Sequence, residues 1–447
     1  MVKLFCCIVT LCLAQGVSAG AAAIGKSEPA QAISRERIAS LPAAERTAWT
    51  AYLDRSERQR ATDHATLAAE RKGMAVTPEL PKESSAARSI PLTREASWYG
   101  SAEARHIADV IVSFQTPAGG WSKNLDMSGP LRVRGQSYAP DNLSKHPSPE
   151  DFDTPKDPAW NYVGTLDNDS TNTELRFLAK VSDRTPGAAG EAYRASFLKG
   201  LRYLLAAQFP NGGWPQVWPL EGGYHDAITY NDNAVTESAN VLSDVADGKG
   251  DYRFVPIELR AQAAVSAKRA VACILATQVK VEDRRTIWAQ QHDAVTLAPV
   301  AGRNYEPASL ATGESADILI YLMQLPHPSA EVREAVEDGV AWLQHAAIRE
   351  QEWVGGKGTV EGRHLAAKPG AGPIWARYYS MVTERPIFGD RDKTIHDTVS
   401  DLSPERRNGY AWYSNGPQRA LDRYGKWNDS RESSASIGRA WPTNLIE

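Results

Sequence analysis

The sequence predicts an all-α protein in which helical hairpins form a ring, an (α/α) toroid or barrel. Three observations support this prediction. Apolar residues recur with helical spacing in several long stretches, strand-like alternation is scarce, and one loop motif repeats after successive helices. The predicted helical stretches are 104–114, 172–181, 191–207, 234–245, 256–277, 313–323 and 330–345.

The repeated loop motif has the form Gln-x-x-x-Gly-x-Trp. It occurs at residues 115–121 and 208–214, and a less regular copy occupies residues 278–288. Because each copy follows an amphipathic helix, we expect the loops to gather at one rim of the ring and to form a substrate groove there. We interpret the glutamines and tryptophans as structural: glutamine satisfies groups at the helix end, and tryptophan packs.

The N-terminus has the features of a signal peptide over residues 1–19. Lys3 precedes an apolar run, and small residues follow at positions 17–19. The run is too short to span a bilayer stably, so we expect a secreted or periplasmic protein with no membrane partner. Three of the four cysteines lie in this segment, which leaves Cys273 without a partner for an internal disulfide.

The rest of the chain divides into two predicted regions. Residues 20–100 form an N-terminal helical arm and linker, with a polar helical pattern over 36–72 and prolines after it. Residues 101–447 form the predicted catalytic domain. The formal net charge of −4 argues against nucleic acid as the main partner, although a local basic cleft could still bind an acidic polymer. We expect a monomer.

Two of the predicted rim loops are dense in oxygen-bearing side chains. Residues 165–172 contain Asp167 and Asn168, and residues 224–233 contain Asn231 and Asp232. Each loop precedes a helix, and one such side chain would be enough to cap it. Carboxylate and amide oxygens are also the ligands that calcium prefers. The loop composition therefore leaves capping and metal or substrate binding equally open.

Two further rim segments carry arginines. Arg303 follows a glycine and can point into a cleft, or it can simply pair with Glu306. Arg406 and Arg407 precede Tyr410 and follow Arg385. Arginine forks beside aromatic rings suit a carboxylated sugar, although a solvated charged surface is the alternative explanation.

These segments resemble the toroidal pectate lyases of polysaccharide lyase family 10. The matching stretches follow the family order from about residue 103 to residue 427. They are 114–124, 165–168, 207–215, 228–232, 291–293, 302–306, 375–379 and 406–413. The chain departs from the family pattern at Asp169-Ser170 and at Asn233.

The resemblance implies a groove for polygalacturonate or pectin and Ca²⁺ that bridges enzyme and substrate. It assigns Arg303 as the base that removes the proton at carbon 5, and it places Asp167 and Asp232 near the calcium. The second catalytic arginine is implied to be Arg407 or, as the less favoured choice, Arg406. The positions expected to contact the sugar are Lys123, Asn168, Asn231, Arg385 and Tyr410.

The expected reaction is β-elimination, which yields 4,5-unsaturated oligogalacturonides. Because arginine is a very weak base in its free form, we expect activity to rise toward alkaline pH. Two other functions remain open at this stage. One is a toroidal glycoside hydrolase that uses an Asp pair such as Asp167 and Asp232. The other is a non-catalytic carbohydrate-binding protein. A terpene-cyclase-like core is disfavoured because the chain has no Asp-x-Asp-Asp motif.

Overall fold

A computed structural model describes residues 23–84, 89–148, 150–359 and 361–437, with only the backbone described in the last turns from residue 429. The predicted signal peptide, residues 1–19, lies outside these residues. The described helices are α1 (Arg35–Ala39), α2 (Ala43–Arg71), α3 (Ala102–Phe114), α4 (Asn172–Asp183), α5 (Gly187–Ala207), α6 (Ala234–Asp247), α7 (Ile257–Thr277), α8 (Thr312–Gln324), α9 (Ala330–His345), α10 (Pro404–Gly409) and α11 (Gln418–Ile437). None of them is long and apolar enough to cross a bilayer.

The helices form an α/α toroid, as the sequence predicts. Helices α4 and α5, α6 and α7, and α8 and α9 pack as consecutive hairpins. The first member of each hairpin contacts the first member of the next, and so forms an inner ring of α4, α6 and α8. Helices α5, α7 and α9 lie outside them, α3 packs against the first hairpin, and α11 packs against the last. The inner helices are buried on most faces because helices surround them.

The repeated loop motif connects neighbouring outer helices. Gln208 ends α5, and its Nε2 donates to the carbonyl of Gly212 in its own loop (2.9 Å) and to that of Ser266 in α7 (3.0 Å). Gln115 and Gln278 make the equivalent pairs of bonds, to α5 and α9 respectively. Gly212 requires a bare Cα, because its φ is +99° and an added Cβ would lie 2.2 Å from the Arg269 carbonyl oxygen. The structural interpretation of the glutamines is confirmed.

The tryptophans of the motif are buried inside the ring. Trp121, Trp214 and Trp288 are fully buried, and each indole Nε1 donates to a carbonyl in the helix that precedes it, at 2.7–2.8 Å. Trp375 repeats this contact with the Leu343 carbonyl of α9. A buried indole N–H needs such a partner, so each tryptophan both fills the core and holds the start of a rim loop.

The arm before residue 101 packs along the ring. Trp49 and Tyr52 of α2 are buried in the same core as the toroid, and the Tyr52 hydroxyl donates to the Ala207 carbonyl at 2.9 Å. Arg37 of α1 forms a bidentate ion pair with Asp293, with Nη2 at 2.6 and 2.7 Å from the two carboxylate oxygens. The arm therefore shares the hydrophobic core of the catalytic region and is tied to its rim.

The strands of the described residues are two to four residues long and lie in the loops. They are β1 (Gly25–Lys26), β2 (Ile228–Thr229), β3 (Lys280–Val281), β4 (Arg284–Arg285), β5 (Gln291–His292), β6 (Pro299–Val300), β7 (Leu310–Ala311), β8 (Gln351–Val354), β9 (His364–Ala367), β10 (Trp375–Ala376), β11 (Tyr378–Tyr379), β12 (Phe388–Gly389), β13 (Thr394–His396) and β14 (Tyr413–Ser414). The three-stranded sheet β2-β5-β6 and the pair β7-β11 fasten rim loops to each other. The all-α class holds because these strands only join loops.

Candidate active site

A polar cavity of about 230 Å³ opens between the rim loops. Seven of the residues proposed from the sequence line it: Lys123, Asp167, Asn168, Asn231, Asp232, Arg303 and Tyr410. The other lining residues are Tyr162, Gln216, Tyr224, Gln290, Gln291, Glu306 and Arg377. The rim loops of successive hairpins thus converge on one site.

Two equivalent turns supply the acidic wall of the cavity. Residues 167–169 precede α4 and residues 231–233 precede α6, and the two turns contact each other. Each holds its middle residue in the left-handed region, with φ of 53° at Asn168 and 48° at Asp232. Asn and Asp tolerate this conformation better than other residues with a side chain. The backbone conformation alone thus favours Asn or Asp at positions 168 and 232, whether or not these side chains bind a ligand.

The carboxyl groups of Asp167 and Asp232 lie within hydrogen-bonding reach of each other. Asp167 also accepts from Lys123 Nζ at 2.7 Å and from Gln216 Nε2 at 2.8 Å. Burial acts to raise the pKa of Asp167, but the Lys123 ammonium and the hydrogen bonds outweigh it and lower that pKa below its usual value. Burial and the neighbouring Asp167 charge raise the pKa of Asp232 well above its ordinary value.

Another part of the cavity lining is built around Arg303. Its Nη2 donates to Glu306 Oε1 at 2.6 Å, and its backbone N–H donates to Glu306 Oε2 at 2.9 Å. Tyr410 also donates to Glu306 Oε1, at 2.6 Å. Burial works against the Arg303 charge, but Glu306 outweighs it and raises the pKa of Arg303 well above its ordinary value. Burial likewise acts to raise the pKa of Glu306, and Arg303 lowers it to about 2.

The sequence offered Glu306 as a simple partner for Arg303, and the structure contains that ion pair. Even so, 35% of the Arg303 side-chain surface stays exposed, and Arg303 lines the cavity. Arg303 therefore does both things considered from the sequence: it forms an ion pair with Glu306 and it faces the cavity.

Arg377 is a cavity residue to which the sequence assigned no role. Its Nη2 donates to Glu314 Oε1 at 2.9 Å, and its Nε donates to the Tyr378 hydroxyl at 3.0 Å. The guanidinium lies 5.0 Å from the centre of the Tyr410 ring. The signal was present in the sequence, because Arg377 stands within the aromatic stretch 375–379. Nothing in that stretch distinguished its arginine from those near residue 406.

Three arginines proposed from the sequence do not line the cavity. Arg406 is buried beside it, with its guanidinium carbon 4.2 Å from the centre of the Tyr305 ring. Arg407 points away from the cavity, where Nη1 donates to the Ser400 carbonyl at 3.4 Å and its side chain approaches Gly362. Adjacent residues on the short helix α10 cannot share a face, so at most one of the pair can point inward. Arg385 is exposed on a turn in which its backbone carbonyl accepts a hydrogen bond from the Ser380 N–H.

The oxygen atoms in the cavity suit a hard divalent cation whose coordination shell is completed by substrate or water. The described residues contain no group of three or more His, Cys, Asp or Glu side chains placed to hold a metal ion. The cavity does hold the Asp167 and Asp232 carboxylates, together with two buried amide oxygens that lack a hydrogen-bond partner, Gln216 Oε1 and Gln291 Oε1. Calcium takes six to eight oxygen ligands. These residues could therefore supply part of a calcium shell, with substrate and water supplying the rest.

Solved structures with the same architecture define the class of protein. The chain is similar to a family 10 polysaccharide lyase from Cellvibrio cellulosa, with 28% identity and a TM-score of 0.63 over 76% of this chain and 97% of the other. It is also similar to an aspartate-to-alanine mutant of a family 10 lyase from the same organism in complex with trigalacturonic acid. That match has 27% identity and a TM-score of 0.62, and it covers 77% of this chain and 99% of the other. The fold is that of a family 10 polysaccharide lyase.

The family model for pectic acid lyases matches residues 115–421. The chain therefore belongs to the pectic acid lyase family and is a pectate lyase. A comparison with curated protein sequences gives no match. The family match begins at the first repeated loop and leaves the N-terminal arm outside it.

A buried carboxyl group beneath the acidic wall makes stability depend on pH. Glu174 of α4 is fully buried, its Oε2 has no hydrogen-bond partner, and burial raises its pKa to about 8. Between its ordinary pKa of 4.5 and about 8, the folded protein keeps a proton that the unfolded chain releases. Stability therefore falls as pH rises through this window, by up to about 1.4 kcal/mol per pH unit for this group.

We expect Glu174→Gln to remove this contribution. The free energy of unfolding of the variant, relative to the wild type, should increase between pH 5 and pH 8 when both are measured by denaturant titration. Glu191→Gln, at an exposed glutamate of α5, is the matched control and should show no such change. An equal difference at both pH values for Glu174→Gln would contradict the raised pKa.

Proposed function

We propose that this pectate lyase cleaves α-1,4-linked polygalacturonate by calcium-assisted β-elimination, with Arg303 as the base. The observation that carries the proposal is that one small polar cavity is lined by two acidic residues, Asp167 and Asp232, and by the cations Arg303 and Arg377. The complex of the similar mutant enzyme with trigalacturonic acid supports the substrate class.

The reaction requires a carboxylate to be neutralised before its neighbouring proton can leave. Removing the proton at carbon 5 adds negative charge beside the uronate carboxylate, so fixed positive groups lower the barrier most when they act on the developing charge. Arg377 and Lys123 are the cavity cations that can hold the uronate carboxylate. Arg377 replaces Arg407 in this role, because Arg377 lines the cavity and Arg407 does not.

Calcium would be held by Asp167 and Asp232, with amide oxygens such as that of Gln216 nearby. When bound, the ion supplies a Lewis acid that polarises the substrate carboxylate. It would also neutralise Asp232, whose charge Asp167 opposes. Lys123 already compensates Asp167, at 2.7 Å. The resident lysine therefore reduces the charge that the ion must balance.

Arg303 would remove the carbon 5 proton, and Glu306 would orient the Arg303 guanidinium for this step. Glu306 fixes Arg303 through both the backbone N–H and the guanidinium, and Tyr410 fixes Glu306 in turn. As the C5–H electron pair forms the C4–C5 double bond, the bond from carbon 4 to the glycosidic oxygen breaks. That oxygen takes a proton from water and leaves as a hydroxyl of one fragment, and the other fragment carries the double bond. Glu306 raises the pKa of Arg303, so this arrangement orients the base but makes it harder to deprotonate at neutral pH.

The glycoside hydrolase alternative is disfavoured by the spacing of its carboxylates. Retaining hydrolases need their two carboxyl groups about 5 Å apart, and inverting hydrolases need them still farther apart. Asp167 and Asp232 are within direct hydrogen-bonding reach of each other. Such a pair leaves no room for a sugar carbon or a water between its members.

We also propose that the protein is exported as a monomer. A polymeric substrate cannot cross a cell membrane, and residues 1–19 have the sequence pattern of a signal peptide.

The first test follows formation of unsaturated product from polygalacturonate by ultraviolet absorbance, with and without a calcium chelator. We expect a steady rise in absorbance, its loss on chelation and its recovery when Ca²⁺ is added back. Asp232→Asn should need more Ca²⁺ for half-maximal activity, because one anionic ligand is removed. Saturated products, or a rate that chelator does not affect, would contradict calcium-assisted elimination.

A second test concerns the base. Arg303→Ala should lower kcat by about 10³-fold or more, because it removes proton transfer and a cation at the developing charge. Binding of trigalacturonate, measured calorimetrically, should remain within a few-fold of wild type. The wild-type rate should increase toward alkaline pH, because the deprotonated fraction of the guanidinium grows as pH approaches its pKa. A flat or acidic optimum would identify another base.

A third test compares two arginines. Arg377→Ala should reduce kcat/KM by about 10²-fold, the typical cost of one charge-stabilising donor. Arg407→Ala should leave kcat/KM within a few-fold of wild type, because Arg407 does not line the cavity. Circular dichroism of both variants checks that the fold is intact. The reverse ranking would restore Arg407 to the site.

A further inference from the structure

The guanidinium of Arg377 is anchored through two of its three nitrogens. Nη2 donates to Glu314 Oε1 at 2.9 Å and lies 3.4 Å from Asn231 Oδ1, and Nε donates to the Tyr378 hydroxyl at 3.0 Å. Among the residues that the structure describes, Nη1 has no hydrogen-bond partner, and Arg377 lines the cavity. The anchored nitrogens therefore decide how the remaining N–H groups are presented to a ligand.

Tyr378 is a fixed point for this guanidinium. It is fully buried and is not among the residues that line the cavity. Its ring packs edge-on against Trp412, with the ring centres 6.2 Å apart. Glu314 supplies an opposite charge, but a charge attracts from many directions, whereas a hydrogen bond from Nε to a rigid acceptor also fixes the plane of the guanidinium.

The Tyr378 hydroxyl is itself held by two residues that line the cavity. It contacts Gln290 Oε1 and lies 3.0 Å from the Tyr410 hydroxyl. A phenol has one hydrogen to donate and lone pairs to accept. Whichever neighbour receives the hydrogen, the oxygen can still accept from Arg377 Nε. Burial raises the pKa of Tyr378 well above its ordinary value, so the group stays a neutral phenol at alkaline pH.

The same hydroxyl links Arg377 to Arg303. Tyr410 donates to Glu306 Oε1 at 2.6 Å, and that oxygen also accepts from Arg303 Nη2 at 2.6 Å. A hydrogen-bonded chain of three side chains, Tyr378, Tyr410 and Glu306, therefore joins the two arginines. The chain keeps the orientation of one guanidinium in a fixed relation to the other.

The backbone brings both anchors of Arg377 to the same place. Tyr378 of β11 lies opposite Ala311 of β7, and α8 begins directly after β7. Glu314 belongs to the first turn of α8. One strand pair thus positions the charged anchor and the neutral anchor together.

We propose that Tyr378 is a positioning residue for the elimination, whose hydroxyl orients the Arg377 guanidinium toward the uronate carboxylate. This inference rests on the proposed function, since it concerns how Arg377 performs the role given to it there. A guanidinium that is wrongly oriented keeps its charge and still attracts the substrate. It is less able to stabilise the charge that develops in the transition state. Loss of the hydroxyl should therefore affect kcat more than KM.

The first test removes the hydroxyl and keeps the buried ring. For Tyr378→Phe, we expect kcat for unsaturated product from polygalacturonate to fall about 10-fold while KM stays within about three-fold of wild type. Tyr379→Phe, one residue further along β11, is the matched control. Tyr379 is also buried, but its hydroxyl donates to the Ala346 carbonyl at 3.1 Å.

The control separates positioning from a general loss of packing. Successive strand residues point to opposite faces, so Tyr379→Phe should keep the wild-type kcat. A merely structural role for Tyr378 would affect the two variants alike. Equal kcat values in the two variants, or a rise in KM without a loss in kcat for Tyr378→Phe, would overturn the proposal.

A second test asks whether Tyr378 acts through Arg377. In an Arg377→Ala background there is no guanidinium to orient, so adding Tyr378→Phe should change kcat/KM by less than about two-fold. A further loss of about 10-fold in this background would show that Tyr378 acts on another group, and the proposal would be wrong.

Arg377→Lys keeps the inference testable if Tyr378→Phe fails to fold. Lysine retains the positive charge but has no Nε–H to donate to Tyr378 and no planar fork. We expect its kcat to fall to within a few-fold of the Arg377→Ala value, and a wild-type kcat would show that charge alone is sufficient. Absence of unsaturated product from the wild type would reject the proposed function itself, so the two failures are distinguishable.

Discussion

The balance of charge inside one buried cavity is the constraint on which the rest of the site depends. Asp167 and Asp232 face each other where water cannot fully solvate them, and only nearby cations make that arrangement tolerable. Lys123 supplies one such charge. For the two arginines that line the cavity the signs are reversed, because Glu306 and Glu314 hold Arg303 and Arg377. Asp167, Arg303 and Arg377 thus each have an ion-pair partner within the protein, whereas the described residues give Asp232 no salt bridge.

The repeated helical hairpins of the toroid position the loops that carry these ion pairs. The loops that follow α3, α5 and α7 are each tied to the next outer helix by a glutamine and to the preceding helix by a tryptophan. The loops consequently leave the ring at equivalent positions, and side chains from distant parts of the sequence meet at the centre of the rim. Asp167 and Asp232 lie in equivalent turns before α4 and α6, but Asp167 is the first residue of its turn and Asp232 is the middle residue of the other.

The sequence predicted the ring, the functional loops and most of the acidic wall. Helical periodicity and the Gln-x-x-x-Gly-x-Trp motif depend on local chemistry, which a single sequence contains. The choice among arginines depended on side-chain direction across a tertiary contact, and no local pattern contains that. Arg406 and Arg407 had the aromatic neighbours expected of a sugar site, yet the helix turn directs one under Tyr305 and the other away. Arg377 enters the cavity because β10 and β11, the strands on either side of it, pair with β14 and β7.

The pairing of β1 with β13 has a consequence for biogenesis. Gly25 lies opposite Ile395, so one of the first described strands is completed by residues about 370 positions later in the chain. Contacts of such long range form late, because the intervening loop must be closed first. During synthesis, β1 has no partner strand until nearly the whole ring has emerged. A chain whose fold is incomplete can still pass through a narrow channel. It reaches its final fold only after its last helices are available.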